Sequence, residues 1–250
     1  MNLSAFFEQN PRAAVAFSGG VDSAYLLYAA KQSGCDVHAY FVKSPFQPQF
    51  ELEDAMRFAN EWGIPLSVLK VDVLACEKIA QNDARRCYYC KRFLFSRLLQ
   101  AAKADGYSIL LDGTNASDNA ADRPGMQALR ELSIRSPLRE CGLTKADIRA
   151  RSQTAGLFTH DKPAYACLAT RVPTGMRITP TALAQVERAE AALFAMGFTD
   201  FRVRLLSSGG AKLQLPQAQM VQALNRRKEI LAALEPEVGE VLLDLKARGD

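Results

Sequence analysis

The sequence predicts an α/β fold, a doubly wound parallel sheet with a second, smaller α+β domain behind it. Three observations lead there. Strand-length apolar runs alternate with segments of helical spacing over the first part of the chain; a glycine-containing string, Ser18-Gly19-Gly20-Val21-Asp22-Ser23, sits between one such run and one such helix; and beyond residue 180 the order changes to helix, two short strands, helix, strand. A chain of 250 residues, 48% hydrophobic and 23% charged, is long enough to bury a core and to divide. The expected division is residues 1–171 and residues 172–250.

Residues 13–17 form the first expected strand and residues 24–30 carry helical character. Residues 37–42 read as a second strand, and residues 51–62 as a helix closed by Gly63 and Pro65. A third strand covers residues 66–71, a helix covers 93–104 up to Gly106, and a fourth strand, 109–111, ends at Asp112-Gly113-Thr114-Asn115. In such a sheet the ligand site lies off the carboxyl ends of the strands, where Ser18 to Ser23, Lys43-Ser44 and Gly113 to Asn115 all fall. A helix over 144–154 leads into a Pro- and Gly-punctuated connection, 156–179, whose length marks it as an active-site segment. After it come a helix over 181–196, strands at 201–205 and 212–215, a helix over 217–234 and a strand at 238–245.

The glycine string has its own chemistry. Gly19 and Gly20 let backbone N–H groups converge, and the following helix directs the positive end of its dipole to the same point. That arrangement suits a phosphate chain. Ser18 and Ser23 add hydroxyl donors; Asp22 is placed to hold Mg²⁺, to position a neighbouring donor, or simply to cap the helix. No Gly-Lys-Ser/Thr follows, so this is not a Walker A loop, and no lysine stands ready in the string for the β- and γ-phosphates.

Composition narrows the setting. A balance of 31 basic against 27 acidic residues leaves +4, mild for a nucleic-acid partner and favourable to a polyphosphate substrate. The N-terminal stretch has no basic region followed by a long apolar run, and no segment reaches membrane-spanning length, which places the chain in the cytoplasm with no membrane partner. In that setting Cys35, Cys76, Cys87, Cys90, Cys141 and Cys167 read as thiols, ligands or core residues rather than disulfides. Cys87 and Cys90 form a Cys-x-x-Cys flanked by Arg86 and Lys91, a setting for ligation or redox chemistry, although a complete metal site needs more ligands. Cys167 lies in the long connection with Lys162 and Arg171 near it in sequence, either a reactive thiolate or a buried structural cysteine beside Leu168. Cys35, Cys76 and Cys141 lack a second thiol at ligand spacing and are assigned to packing or surface, His38 to packing, His160 to a candidate proton-transfer role, and Arg226-Arg227-Lys228 to a solvated helix face.

The glycine string resembles the PP-loop of ATP pyrophosphatases, enzymes that split ATP between its α- and β-phosphates. Together with Arg86 to Lys91, Asp112 to Asn115, Arg123-Pro124-Gly125, Arg135-Ser136-Pro137-Leu138 and Asp161-Lys162-Pro163 through Cys167, it resembles, in order over most of the chain, the ATP-dependent sacrificial sulfur transferases of the LarE type. The resemblance implies ATP and Mg²⁺, a homo-oligomeric enzyme, and a small-molecule nucleotide substrate, pyridinium-3,5-biscarboxylic acid mononucleotide, destined for the nickel-pincer cofactor of lactate racemase. It implies Cys167 as the sulfur donor, left as dehydroalanine, or a [4Fe-4S] cluster on Cys87, Cys90 and Cys167 that spares it. It also places Glu190 near a metal or phosphate and makes Arg202 and Arg204 a basic pair; with Arg171 these arginines would grip the substrate's phosphate or carboxylate, against the plainer alternative of a solvated strand face. Gln214 departs from the family's usual Glu, and the chain stops without the family's Gly- and Ser-rich tail, so the acceptor can differ. The rival readings are a PP-loop tRNA thiolase, disfavoured by the absence of a strongly basic block, an ammonia-using amide synthase for which Cys167 would be incidental, and a non-catalytic nucleotide-binding regulator.

Overall fold

A computed structural model describes residues 2–118 and 124–248. The chain packs as two compact units, one of residues 1–73 and 87–162, the other of residues 74–86 and 163–250. It passes between them after Lys162, ahead of the boundary expected after Arg171, and residues 74–86 join the second unit although the first surrounds them in sequence.

In the first unit, α1 (Leu3–Gln9) precedes β1 (Arg12–Ala16), α2 (Val21–Gln32), β2 (Asp36–Lys43), α3 (Gln49–Trp62) and β3 (Leu66–Lys70). After α4 (Glu77–Ala80) of the second unit, α5 (Arg86–Ala104) leads to β4 (Leu110–Leu111), α6 (Pro124–Glu131), α7 (Pro137–Glu140) and α8 (Lys145–Thr154). The four strands are all parallel in the order β3-β2-β1-β4, so the expected α/β sheet is borne out. The order reverses beside β1, the position where such sheets open a crevice for a ligand.

Period-two alternation explains why helices cover both faces. Ala13, Val15 and Phe17 point with Val37, Ala39 and Phe41 into a core shared with α1, α2, α3 and α8, whereas Ala14, Tyr40 and Val42 meet Leu98 and Ala102 of α5 on the opposite face. The sequence expectations miss α1, α4, α6 and α7, of which α4 and α7 are single turns. They also start α5 at residue 93, whereas the helix begins at Arg86 and includes both Cys87 and Cys90.

The second unit continues with a 3₁₀ turn (Leu168–Arg171), α9 (Pro180–Ala195), β5 (Arg202–Leu205), β6 (Ala211–Gln214), α10 (Gln217–Asn225), α11 (Arg227–Val238) and β7 (Val241–Leu243). Its sheet runs β5-β6-β7, antiparallel then parallel, over a core of Leu193, Phe198, Phe201, Val203, Leu213, Ile230 and Leu234. The single helix expected over 217–234 is two, interrupted at Arg226, and α11 runs on to Val238, where Gly239 at φ 75 ends it. Arg226 therefore marks a break and binds the Met196 carbonyl at 2.7 Å rather than lying on a free face. No helix among the described residues is long and apolar enough to cross a membrane.

Candidate active site

The loop from Ser18 to Ser23 follows β1 directly and opens α2, whose N-cap is Gly20. Gly19 holds φ 72, a conformation open to glycine, and a Cβ there would lie 3.0 Å from the Glu51 carbonyl. Val21, Asp22 and Ser23 supply N–H groups from the first turn of α2, which have no acceptor within the helix. The two serines face one another across the turn: Ser18 Oγ and Ser23 Oγ are 3.0 Å apart, and Ser23 Oγ donates to the Gly20 carbonyl at 3.2 Å. The result is a backbone cradle with hydroxyls beside it.

Three other segments of the same unit complete this edge. The Asp112 to Asn115 turn presses against the loop so closely that a Cβ on Gly113 would lie 2.9 Å from the Ser23 nitrogen, contact that only glycine permits. Buried Asn115 donates to Asp22 Oδ1 at 3.2 Å, and Asp112 is held by the hydroxyls of Thr114 and Ser136, both at 2.5 Å. This is how the Asp112 and Ser136 motifs support one another. Ser44 is buried and ties its own turn, with its Oγ 2.7 Å from Gln47 Oε1. Of the Arg123-Pro124-Gly125 string, Arg123 lies outside the described residues, while Gly125 makes room for Lys91, whose Cδ would be 2.9 Å from a Cβ there.

Two residues at this edge escaped the sequence reading. Lys145, the first residue of α8, reaches Asp22 Oδ2 at 2.6 Å, and Lys162 donates to the Gly19 carbonyl at 3.1 Å and to Asp54 Oδ2 at 2.5 Å. The string itself holds no lysine, but the fold brings two to it. The only signals were a Thr-Lys at a helix start and the Asp161-Lys162-Pro163 string, where Lys162 was read as a partner for Cys167.

In the second unit Cys167 is half-buried and immediately precedes the 3₁₀ turn. Arg171 and Glu190, both 1% exposed, form a bidentate pair with N···O distances of 2.8 and 3.0 Å. Glu190 also accepts from the Val203 N–H at 2.9 Å and from the Tyr165 hydroxyl, and Arg171 donates to the Ala166 carbonyl at 2.9 Å and Thr170 Oγ1 at 2.8 Å. Arg202, also buried, binds the Ala164 carbonyl at 2.5 Å, and burial together with the neighbouring Arg171 and Arg248 charges brings its guanidinium down to about 10. The positions expected to reach a phosphate or metal thus hold the 164–171 segment on both sides of Cys167. Exposed Arg204 binds Gln214 Oε1 at 2.6 Å and the Thr170 carbonyl at 3.1 Å, and Gln214 in turn donates to Asp244 at 2.8 Å. Although Arg202 and Arg204 alternate to one face, one is buried and one is not.

Cys87 and Cys90 stand one helical turn apart in α5, a geometry that supplies two ligands from one face. Among the described residues no group of three His, Cys, Asp or Glu side chains is placed to hold a metal ion. Cys35 packs in the core, where burial lifts its thiol to about 11, and burial likewise raises Cys141. His38 stacks on Tyr40 with ring centroids 4.6 Å apart and pairs with Ser67 Oγ at 2.9 Å, a packing role. His160 directs Nδ1 to the Leu157 carbonyl at 2.9 Å.

Residues 12–84, which include β1 and the glycine loop, match the family of the queuosine biosynthesis protein QueC. The chain is 39% identical over 222 residues to an uncharacterized protein of Synechocystis, covering 88% of this chain and 82% of that one. It is 35% identical over 220 residues to the pyridinium-3,5-bisthiocarboxylic acid mononucleotide synthase of Lactiplantibacillus plantarum, covering 87% and 79% of the two chains. The chain belongs to the LarE family. LarE-type proteins are PP-loop enzymes, and this chain is an ATP-dependent sulfur transferase of that family. A tRNA-specific 2-thiouridylase of Pseudothermotoga lettingae is 28% identical over 185 residues and covers 59% of this chain and 53% of its own length, a likeness in keeping with a shared PP-loop.

Proposed function

We propose that this LarE-family enzyme activates a carboxylate of pyridinium-3,5-biscarboxylic acid mononucleotide with ATP and replaces carboxylate oxygen with sulfur from Cys167. The observation that carries the reading is the cradle formed by Gly19 to Ser23, against which Gly113 packs and at which Asn115 and Lys145 hold Asp22. The identity to the bisthiocarboxylic acid mononucleotide synthase supports the choice of acceptor.

In this reading, N–H groups of Gly19 to Ser23 and the Ser18 and Ser23 hydroxyls bind the triphosphate, with Ser44, Gly113 and Asn115 shaping the nucleotide site. Mg²⁺ would be held by Asp22 and would neutralise charge on the phosphates. A substrate carboxylate oxygen attacks the α-phosphorus and pyrophosphate leaves, giving an acyl-adenylate. The Cys167 thiolate attacks the acyl carbon and AMP departs, giving a thioester. Loss of the Cys167 Cα proton to a base and cleavage of the Cβ–S bond leave a thiocarboxylate on the substrate and dehydroalanine on the chain. Arg171, Arg202 and Glu190 serve by holding the cysteine segment, and exposed Arg204 is the arginine available to the substrate's phosphate or carboxylate. The product would feed the nickel-pincer cofactor of lactate racemase, made by a cytoplasmic homo-oligomer.

A second version takes sulfide from a [4Fe-4S] cluster on Cys87, Cys90 and Cys167. The one-turn spacing of Cys87 and Cys90 favours it. The test is incubation of the full chain with ATP, Mg²⁺ and the dicarboxylate nucleotide, following pyrophosphate, AMP and thiocarboxylate together. All three should form, and Cys167→Ala should release pyrophosphate without yielding thiocarboxylate. Sulfur transfer that survives Cys167→Ala, or that requires tRNA, contradicts the proposal.

A further inference from the structure

Two ammonium groups end on a loop whose own sequence contains none, and both arrive from distant parts of the first unit. Lys145 is 123 residues from its partner Asp22, and Lys162 is 108 residues from Asp54. Each is fixed at its base. Lys145 follows the Thr144 capping box at the start of α8 and donates its backbone N–H to Ser117 Oγ at 3.0 Å, while the Lys162 carbonyl accepts from Arg149 at 2.8 Å.

We propose that Lys145 and Lys162 are the phosphate-binding cations of the nucleotide site, held on Asp22 and Asp54 until the triphosphate arrives. This rests on the ATP-binding reading of the loop. Stability alone gives little reason for the pairs. Their side chains are partly exposed, 34% for Lys145, 24% for Asp22, 16% for Lys162 and 30% for Asp54, and ion pairs in contact with water contribute on the order of 0–1 kcal/mol. Position gives a stronger one. An ammonium carries three donors; Asp22 takes one from Lys145, and Gly19 O and Asp54 take two from Lys162, which leaves donors on both beside the converging N–H groups of Val21 to Ser23.

The two aspartates act as exchangeable partners. Mg²⁺ bound with the nucleotide would be held by Asp22, which would free the Lys145 ammonium for phosphate; Asp54 competes with phosphate for Lys162. As the α,β-bond breaks, negative charge grows on the leaving pyrophosphate, and two fixed cations stabilise it there. The loop thereby obtains from α8 and from the 161–163 string the charge that a Walker A loop carries within its own sequence.

The experiment is equilibrium binding of ATP, AMP and inorganic pyrophosphate to the full chain, with thermal melts recorded for every variant. Lys145→Ala and Lys162→Ala should each weaken ATP and pyrophosphate about tenfold or more, a loss of about 1.4 kcal/mol or more, and leave AMP within about twofold. Asp54→Asn should tighten pyrophosphate severalfold, because Lys162 loses its competing carboxylate, and Lys145→Arg should retain most of the wild-type affinity. If Lys145→Ala melts early, Lys145→Met, which keeps the aliphatic stem, is read in its place. Folded lysine variants that bind ATP and pyrophosphate like wild type, or that lose AMP equally, overturn the proposal. A wild-type chain that binds AMP, ATP and pyrophosphate all without measurable affinity would instead overturn the nucleotide reading beneath it.

Discussion

The two charged clusters of this chain differ in what remains open to a ligand. Around the glycine loop of the first unit, Asp22–Lys145 and Asp54–Lys162 are partly exposed pairs next to first-turn N–H groups that have no acceptor within the helix. In the second unit Arg171 and Glu190 are sealed from water, and Glu190 accepts from two guanidinium nitrogens, the Val203 N–H and the Tyr165 hydroxyl. A pair that water already reaches can change partners at small cost. A sealed pair cannot, because separating it leaves a charge without compensation in a low-dielectric interior. The first cluster is therefore suited to binding and the second to holding a segment, here the one that carries Cys167.

The largest effect should come from separating the tasks. Cys167→Ala should reduce sulfur transfer to background while ATP cleavage continues, measured as thiocarboxylate against pyrophosphate; equal loss of both would erase the division between activating and donating units. Next, Glu190→Ala should cost about 3–5 kcal/mol of stability by stranding the Arg171 charge, read from denaturant unfolding. In a folded Glu190→Gln protein the Mg²⁺ dependence of pyrophosphate release should match wild type, whereas a shifted dependence would return Glu190 to the role of metal ligand. Gly113→Ala should be milder, about 1–3 kcal/mol of overpacking against Ser23, with a raised KM for ATP visible in steady-state pyrophosphate release. The smallest effect concerns His38. Burial lowers its folded-state pKa, so it contributes full stability above the unfolded value of about 6.5 and loses it as pH falls from there through the folded value. Melting temperatures should decline on the acid side of that point, and His38→Gln should flatten that part of the decline.

Much of the fold was legible because alternation and punctuation are local signals. Ala13 to Phe17, Val37 to Val42 and Leu66 to Val71 could be placed as strands from apolar runs alone, and the glycine string between strand and helix indicated the ligand edge. Single-turn helices such as Glu77–Ala80 lack a periodic signal, and the break at Arg226 falls in a run whose helical spacing continues across it. The placement of Gly113 and Asn115 beside the glycine loop was legible because a turn motif at a strand end is itself informative. Lys145 and Lys162 were not, since their pairing with Asp22 and Asp54 exists only once α8 and the 161–163 string fold onto the loop. The burial of Arg171, Arg202 and Glu190 was not legible for the opposite reason: charge suggests exposure, and only the tertiary packing buries all three.

The most direct test of the account is intact-mass and peptide analysis of the chain after a single turnover with ATP, Mg²⁺ and pyridinium-3,5-biscarboxylic acid mononucleotide. A mass loss equal to one H₂S, mapped to dehydroalanine at Cys167, is expected in proportion to thiocarboxylate formed. Thiocarboxylate produced in that single turnover with Cys167 retained and the chain mass unchanged would contradict it.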